Sequence, residues 1–292
     1  MPISIEEVTY QYQVNTPFER TALRDVNVTI PSGALVAFLG HTGSGKSTLV
    51  QHMNGLLRPT KGRVVVDDIE VRAITKRRDK KQSLLPLRRR VGLVFQYPEH
   101  QLFEETVERD VMFGPRNFGA SEEEAKERAH AAMRLVGLDE TLWDRSPFDL
   151  SGGQMRRVAI AGVLASRPDV LVVDEPTAGL DPLGRREMLA LFKRLKQELD
   201  LTLILVSHDM DDVLTYAERV IVMERGAVAF DGDPFELFKD EELVETLQLE
   251  IPHVLRLANE LSPLFGVETP ALRTEDELAD WIALELRKGR AT

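Results

Sequence analysis

Hydrophobic and polar positions alternate along much of the first thirty residues, which predicts two β-strands. The stretches "ISIEEVTYQY" (3–12) and "ALRDVNVTI" (22–30) have this period of two, and the turn signal "PSG" follows the second. Four later runs are short and almost continuously apolar, so they predict buried strands. These runs are "ALVAFL" (34–39), "VGLVF" (91–95), "DVLVV" (169–173) and "LTLILV" (201–206). A closing hairpin is predicted over 219–232.

Segments with helical spacing separate these strands and predict an α/β fold, with helices on both faces of a sheet. One helix is expected to begin with a capping box of Ser121 and Glu124 and to end at Gly137. Residues 99–165 are largely helical in pattern, so we expect a helical subdomain there. The chain becomes helical and acidic after the hairpin, which predicts a main unit over 1–230 and a C-terminal helical extension over 231–292.

Composition narrows the possible functions. The formal net charge is −11, so general nucleic-acid binding is not expected, and the absence of cysteine excludes disulfides. No apolar run approaches the roughly 18 residues that would span a bilayer, and the N-terminus does not have the pattern of a signal peptide. We therefore expect a protein that is soluble, or held at a membrane by a partner.

One basic segment stands out against the acidic background, over residues 72–90. A solvated surface is the favoured interpretation, and contact with anionic lipid headgroups or a nucleic-acid backbone is the alternative. Its basic residues are Arg72, Lys76, Arg77, Arg78, Lys80, Lys81, Arg88, Arg89 and Arg90.

The stretch "GHTGSGKST" (40–48) fits a phosphate-binding loop, because it follows a predicted strand and opens a predicted helix. Glycines let backbone N–H groups curl around phosphates, and the helix N-terminus adds positive charge. Lys46 is expected to reach the β- and γ-phosphates, and the Ser47 hydroxyl to ligate Mg²⁺. The predicted ATP-phosphate ligands are Gly40, His41, Thr42, Gly43, Ser44, Gly45, Lys46, Ser47 and Thr48.

Carboxylates and other polar side chains follow the buried strands. The run "VLVVDEP" carries Asp174, a second candidate for the Mg²⁺ shell, and Glu175, the candidate general base for the attacking water. Gln96 and His208 also follow apolar strands. The carboxyl ends of parallel strands meet at one ligand crevice, so we expect these four to converge with Lys46. Gln96 and His208 are therefore predicted catalytic residues, with Gln96 also a metal ligand.

A second phosphate-binding element is predicted at "LSGGQ". Ser151 is a good N-cap, and the free N–H groups of the helix that follows can bind a phosphate. The loop at 40–48 already covers one side of the nucleotide, so this element is expected to reach it from a second protomer. Two chains placed head to tail would enclose two ATP molecules. The residues concerned are Ser151, Gly152, Gly153 and Gln154.

These motifs, together with "VFQ", "AGLD" and "SHD" and in this order, resemble the ATP-binding cassette (ABC) family over about residues 3–230. The resemblance implies a phosphate-loop NTPase fold with a mixed or parallel sheet core and an antiparallel β subdomain. It also implies that Tyr12 stacks on adenine and that Asp181 sits at the dimer interface. Gln96 would couple the nucleotide site to a membrane partner.

The stretches between the motifs are more specific. "VFQYPEHQLFEETVERDVMFGPRNFG" and "DEPTAGLDPLGR" resemble energy-coupling factor (ECF) importer ATPases, in particular the second of two paralogues. That family implies a peripheral motor on the cytoplasmic face of the cell membrane. Its partners are a second ATPase (a paralogue or a copy of itself), a transmembrane coupling protein and a substrate-binding membrane subunit. Vitamins or transition-metal ions are the cargo. Residues 96–119 would receive the coupling protein, and the C-terminal extension would help dimerisation.

Two other function classes stay open from the sequence. One is the ATPase of a conventional ABC transporter. The other is a soluble ABC ATPase that acts on nucleic acid or ribosomes, although Gln96 and Ser151 are too close in sequence for the long coiled coil of the DNA-acting kind.

Overall fold

The computed structural model describes residues 1–73 and 82–289 of the chain. The strands, in chain order, are β1 (Ile3–Tyr12), β2 (Arg20–Ile30), β3 (Leu35–Leu39), β4 (Lys61–Val66), β5 (Ile69–Arg72), β6 (Val91–Val94), β7 (Val170–Asp174), β8 (Thr202–Val206), β9 (Arg219–Glu224) and β10 (Ala227–Gly232). The helices are α1 (Lys46–Met53), α2 (Leu85–Arg90), α3 (Val107–Asn117), α4 (Glu122–Leu135), α5 (Gly152–Leu164), α6 (Pro182–Leu199), α7 (Met210–Tyr216), α8 (Pro234–Lys239), α9 (Glu241–Thr246), α10 (His253–Phe265) and α11 (Glu275–Gly289).

The larger sheet has the order β10-β9-β3-β8-β7-β6. Its five strands from β9 to β6 run parallel, and only β10 pairs antiparallel, with β9. Strands β3, β7 and β8 are buried along their whole length, as expected for a sheet covered on both faces. The predicted α/β fold with a mixed sheet core and a closing hairpin is therefore confirmed.

A second sheet is antiparallel, with the order β2-β1-β4-β5. Alternate residues of β1 and β2 point into a core that both sheets share, and Phe38 of β3 is a fully buried member of it. The antiparallel β layer implied by the ABC resemblance is thus present, and it lies against the phosphate loop through β2.

Helices α3, α4 and α5 pack on one another and contribute a buried row of alanines and valines to the main core. Ser121 caps α4, since its hydroxyl accepts a bond from the Glu124 N–H. The predicted capping box is only half formed. The Glu124 carboxylate pairs with Arg128 one turn along the helix instead of turning back to the Ser121 N–H, because a charged guanidinium attracts a carboxylate more strongly than an N–H group does.

Helices α8 to α11 follow the hairpin, and α10 packs with α11 around a small apolar cluster. Within residues 1–73 and 82–289, no helix is both long enough and apolar enough to cross a membrane.

The basic segment at 72–90 is only partly described. Lys76, Arg77, Arg78, Lys80 and Lys81 lie outside the described residues, so neither the favoured solvated surface nor the alternative contact with lipid or nucleic acid is addressed there. Of the others, Arg72 pairs with Glu70, and Arg90 pairs with Asp67 and Asp68.

Candidate functional site

The phosphate loop joins the end of β3 to the start of α1. At Gly40 the backbone φ is +139°, and a Cβ there would lie 2.2 Å from the Met223 carbonyl oxygen on β9. No other residue type fits this turn without moving β9. Gly45 is the N-cap of α1, so the first N–H groups of that helix have no helical carbonyl to donate to and are available to a ligand.

Lys46 is the first residue of α1 and is almost fully buried. Its Nζ donates to the carbonyl oxygens of Gly40, at 2.5 Å, and His41, at 3.1 Å. Burial lowers the pKa of Lys46, while the charges of Glu175 and Asp174 act in the opposite direction. The ammonium group is thus held inside the loop, where an anion can replace its solvent shell.

Asp174 ends β7 with its carboxylate buried, close to the side chain of Ser47. Burial raises the pKa of Asp174, the Ser47 hydroxyl beside it lowers it, and the neighbouring Glu175 charge raises it further. A cation beside a buried carboxylate of this kind stabilises its charged form. Hydroxyl, carboxylate and amide oxygens are the ligands that Mg²⁺ prefers, so Ser47, Asp174 and Gln96 fit a magnesium ion that also binds phosphates.

Glu175 turns toward Gln96 because its backbone is left-handed, with φ +48°. In a regular strand, successive side chains point to opposite faces, so Glu175 would point away from Asp174. The left-handed residue breaks that alternation. Gln96 Nε2 donates to Glu175 Oε2 at 2.9 Å, and His208 Nδ1 lies 3.5 Å from Glu175 Oε1. The structure therefore brings Gln96, Glu175 and His208 together at the carboxyl ends of β6, β7 and β8.

Gln96 and Glu175 border a cavity of about 380 Å³ beside α1, whereas His208 lines the neighbouring cavities instead. Tyr12, at the end of β1, lines it, and its hydroxyl lies 3.1 Å from Thr48 Oγ1. The remaining lining residues come from β2, the phosphate loop, and the segments after β6 and β7. They are Arg20, Ala22, Thr42, Gly43, Gly45, Lys46, Ser47, Thr48, Gln96 and Glu175. Arg20 and Ala22 are absent from the sequence prediction, because nothing local to β2 marks them as ligands.

The "LSGGQ" residues do not line this cavity. Ser151 caps α5 in a complete capping box, in which Ser151 Oγ accepts from Gln154 N–H and Gln154 Oε1 accepts from Ser151 N–H. Cβ atoms added at Gly152 or Gly153 would meet nothing within 4 Å among the residues that the structure describes. The two glycines therefore leave the end of α5 bare toward the outside of the chain.

Arg156, one turn into α5, is also missing from the prediction. Its guanidinium binds both carboxylate oxygens of Glu99 and the carbonyl oxygens of Pro176 and Ala178. It is only 4% exposed. Arg156 thereby ties α5 to the segment after Gln96 and to the segment after Glu175. Asp181, just beyond, caps α6 by accepting from the Gly184 N–H at 2.7 Å.

The C-terminal extension also reaches the site. His41 of the phosphate loop bonds through Nε2 to the carbonyl of Leu247, at 3.1 Å, and the His253 N–H donates to Asp211, at 2.7 Å. A second cavity, of about 530 Å³, lies between residues 248–251 of the extension and His208. No local signal in the sequence predicts this contact, because it joins residues about 200 positions apart.

Comparison with known proteins identifies the family of this chain. A family model described as ABC transporter matches residues 23–178. The chain is 54% identical over 286 residues to the energy-coupling factor transporter ATP-binding protein EcfA2 of Lactiplantibacillus plantarum, covering 98% of this chain and 96% of that protein. The chain belongs to the ABC transporter ATPases, in their energy-coupling factor branch. A protein of the same name from Enterococcus faecalis is 53% identical to this chain over 289 residues, covering 99% of this chain and 98% of that protein.

Solved structures have the same fold as this chain, which is called the cassette from here on. The cbiO1 protein of Clostridium perfringens, described as part of the ABC transporter complex cbiONQ, matches with a TM-score of 0.71 and 40% identity, over 88% of the cassette and 98% of that chain. The ATP-binding cassette MJ0796, solved as a dimer after hydrolysis with ADP and Pi, matches with a TM-score of 0.68 and 31% identity, over 80% of the cassette and 98% of that chain. The ABC and energy-coupling factor resemblances are thus confirmed, and the cassette is an ATP-hydrolysing motor of transport.

Proposed function

We propose that this cassette is one of two ATPases that drive an energy-coupling factor importer from the cytoplasmic face of the membrane. It would hydrolyse ATP at sites completed by a second cassette, which is either a paralogue or a copy of itself. A transmembrane coupling protein and a substrate-binding membrane subunit would use the closure and opening of the pair to import vitamins or metal ions. The cassette would not act on nucleic acid.

The observation that carries this proposal is the division of the phosphate-binding elements. The loop at Gly40–Thr48 and Glu175 border one cavity, whereas the capped start of α5 lies outside it with Gly152 and Gly153 facing open space. Neither glycine has a left-handed backbone, so nothing within the described chain requires a residue without a side chain there. Close approach of a phosphate held by another subunit accounts for both glycines.

Within one half-site we assign roles from the contacts. Lys46 and the N–H groups at the start of α1 hold the β- and γ-phosphates. Ser47, Asp174 and Gln96 would hold Mg²⁺, which supplies charge neutralisation between the β- and γ-phosphates when bound. Glu175 is the general base for the attacking water. His208, which lies beside it, would contact the γ-phosphate from the opposite side of Glu175 to Gln96.

Two further roles come from the ABC resemblance and agree with the positions of the side chains. Tyr12 borders the cavity and is half-exposed, as a side chain that stacks on adenine must be. Asp181 already caps α6 within the chain, and it would carry information between the two sites through the loop that it fixes.

An exposed aromatic pair supports docking of a membrane protein. Phe103 and Phe113 lie in the segment at 96–119 and pack edge to face, with ring centroids 4.8 Å apart. They are 56% and 43% exposed, which is unusual for phenylalanines that contact each other. Apolar helix ends of the coupling protein would cover them. Leu264 and Leu284 of the C-terminal extension are exposed in the same way and would contribute to a dimer contact.

Replacement of Glu175 tests the chemistry. Glu175→Gln keeps the shape and the bond with Gln96 but removes the base. We expect ATP turnover to fall about 10²- to 10⁴-fold, while ATP binding persists and the closed pair accumulates. Steady-state phosphate release and size-exclusion chromatography with MgATP measure both effects.

The matched control is Glu250→Gln, an exposed glutamate at the rim of the neighbouring cavity. It should keep wild-type turnover. Turnover of Glu175→Gln within threefold of wild type would remove Glu175 as the base.

A further inference from the structure

A second cation borders the nucleotide cavity besides Lys46. Arg20 is the first residue of β2 and stands directly opposite Tyr12 in the antiparallel pair of β1 and β2. Side chains of directly opposed residues lie on the same face of a sheet. Arg20 therefore faces the cavity that Tyr12 faces, and it lines that cavity together with the phosphate loop.

The guanidinium of Arg20 lies against the loop. A Cβ placed on Gly43 would be 3.5 Å from Arg20 Nη2, the nearest heavy atom to that point. Gly43 belongs to the four-residue interval between Gly40 and Gly45 that curves around the phosphates. The cationic end of Arg20 is thus adjacent to the backbone that forms the phosphate cradle.

No carboxylate neutralises Arg20 in the part of the chain that the structure describes. The nearest in sequence, Glu19, instead accepts hydrogen bonds from Gln11 Nε2, at 2.9 Å, and the Asn15 N–H, at 3.0 Å. Lys46 is by contrast buried and held on two loop carbonyls. Of the two cations that line the cavity, Arg20 is the one whose donors are not used by the described residues of the chain.

We propose that Arg20 binds the phosphate chain of the nucleotide and so acts as a further positioning and binding residue of this site. A guanidinium is a donor without acceptors and matches phosphate oxygens in bidentate geometry. Tyr12 and Arg20 form one cross-strand pair of β1 and β2. Tyr12 would then stack on adenine while Arg20 binds phosphate, and the strand pairing would fix the distance between the two contacts. This inference rests on the proposed binding of ATP in the cavity.

The test compares Arg20→Ala, Arg20→Lys and the control Arg24→Ala by calorimetric titration of the full-length chain with MgADP and MgATP. Arg24 is an exposed residue of the same strand and borders none of the cavities described above. We expect Arg20→Ala to weaken the Kd for both nucleotides about tenfold or more, which is about 1.4 kcal/mol. Arg20→Lys should recover part of that loss, and Arg24→Ala should stay within twofold of wild type, with an unchanged Tm for all three variants.

Ionic strength separates a phosphate contact from stacking on the base. The loss of nucleotide affinity in Arg20→Ala relative to wild type should shrink as the salt concentration rises from about 50 to about 500 mM, because exposed charges become screened over this range. A Kd within twofold of wild type, a loss that does not depend on salt, or an equal loss in Arg24→Ala would each overturn the role of Arg20. Failure of the wild-type chain to bind either nucleotide would instead overturn the proposed function.

Discussion

The histidine on the inner face of α1 makes the stability of the cassette dependent on pH. His52 is fully buried, with Nδ1 donating to the Thr48 carbonyl at 2.7 Å and its ring edge to face with Tyr10. Its Nε2 has no hydrogen-bond partner among the described residues. Burial of the charged form lowers the pKa of His52 from 6.5 to about 4, and the backbone groups of Thr48 and Arg58 act in the opposite direction without offsetting it.

The sign and size of the effect follow from that difference. Between pH 6.5 and pH 4 the unfolded chain binds a proton at this site and the folded chain does not, so stability is lost as the pH falls through this window. The loss attributable to His52 is about 2 kcal/mol at pH 5 and approaches about 3 kcal/mol near pH 4. Well above pH 6.5, His52 is neutral in both the folded and the unfolded chain, and the stability is not reduced by its protonation.

The variant His52→Asn retains a donor near the Nδ1 position but does not titrate. We expect its free energy of unfolding to be lower than that of wild type at pH 7.5, because a smaller side chain leaves a cavity. Between pH 7.5 and pH 5 it should then lose about 2 kcal/mol less than wild type.

Urea denaturation followed by tryptophan fluorescence measures this difference. The carboxylates that titrate in the same range are common to both proteins and cancel. His253→Asn, at an exposed histidine, is the control and should keep the wild-type dependence on pH. If wild type and His52→Asn lose the same free energy between pH 7.5 and pH 5, the argument from burial of Nε2 is wrong.

Two further substitutions examine α5. Ser151→Arg should abolish ATP turnover, because a long cation replaces the cap where the neighbouring subunit's phosphate is expected, while the separate chain still binds ATP; wild-type turnover would contradict the two-subunit site. Arg156→Met should lower the free energy of unfolding by about 3–5 kcal/mol, since it leaves the half-buried Glu99 carboxylate and two carbonyls without their partner. Arg157→Met, whose side chain has one carbonyl contact and one exposed ion pair, should lose clearly less in the same denaturation assay.

Local patterns determined the elements that carry the chemistry. The apolar runs predicted β3, β6, β7 and β8, and the loop pattern identified Lys46 and Ser47, because hydrophobic period, glycine spacing and helix caps act within a few residues. The rule that parallel strands end at one edge of a sheet is enough to group Gln96, Glu175 and His208 from the sequence alone. Recognition of the family likewise rested on contiguous motifs and on their order along the chain.

Contacts between distant segments could be decided only by the tertiary structure. The left-handed backbone at Glu175, which turns its carboxylate toward Gln96, depends on how β7 ends against β8. Arg20 gains its place beside Gly43 from the register of β1 and β2. His41 meets Leu247 only because the extension folds back onto the loop. Each of these depends on the packing of elements far apart in sequence, and no period or cap within one segment records which distant residue will lie beside it.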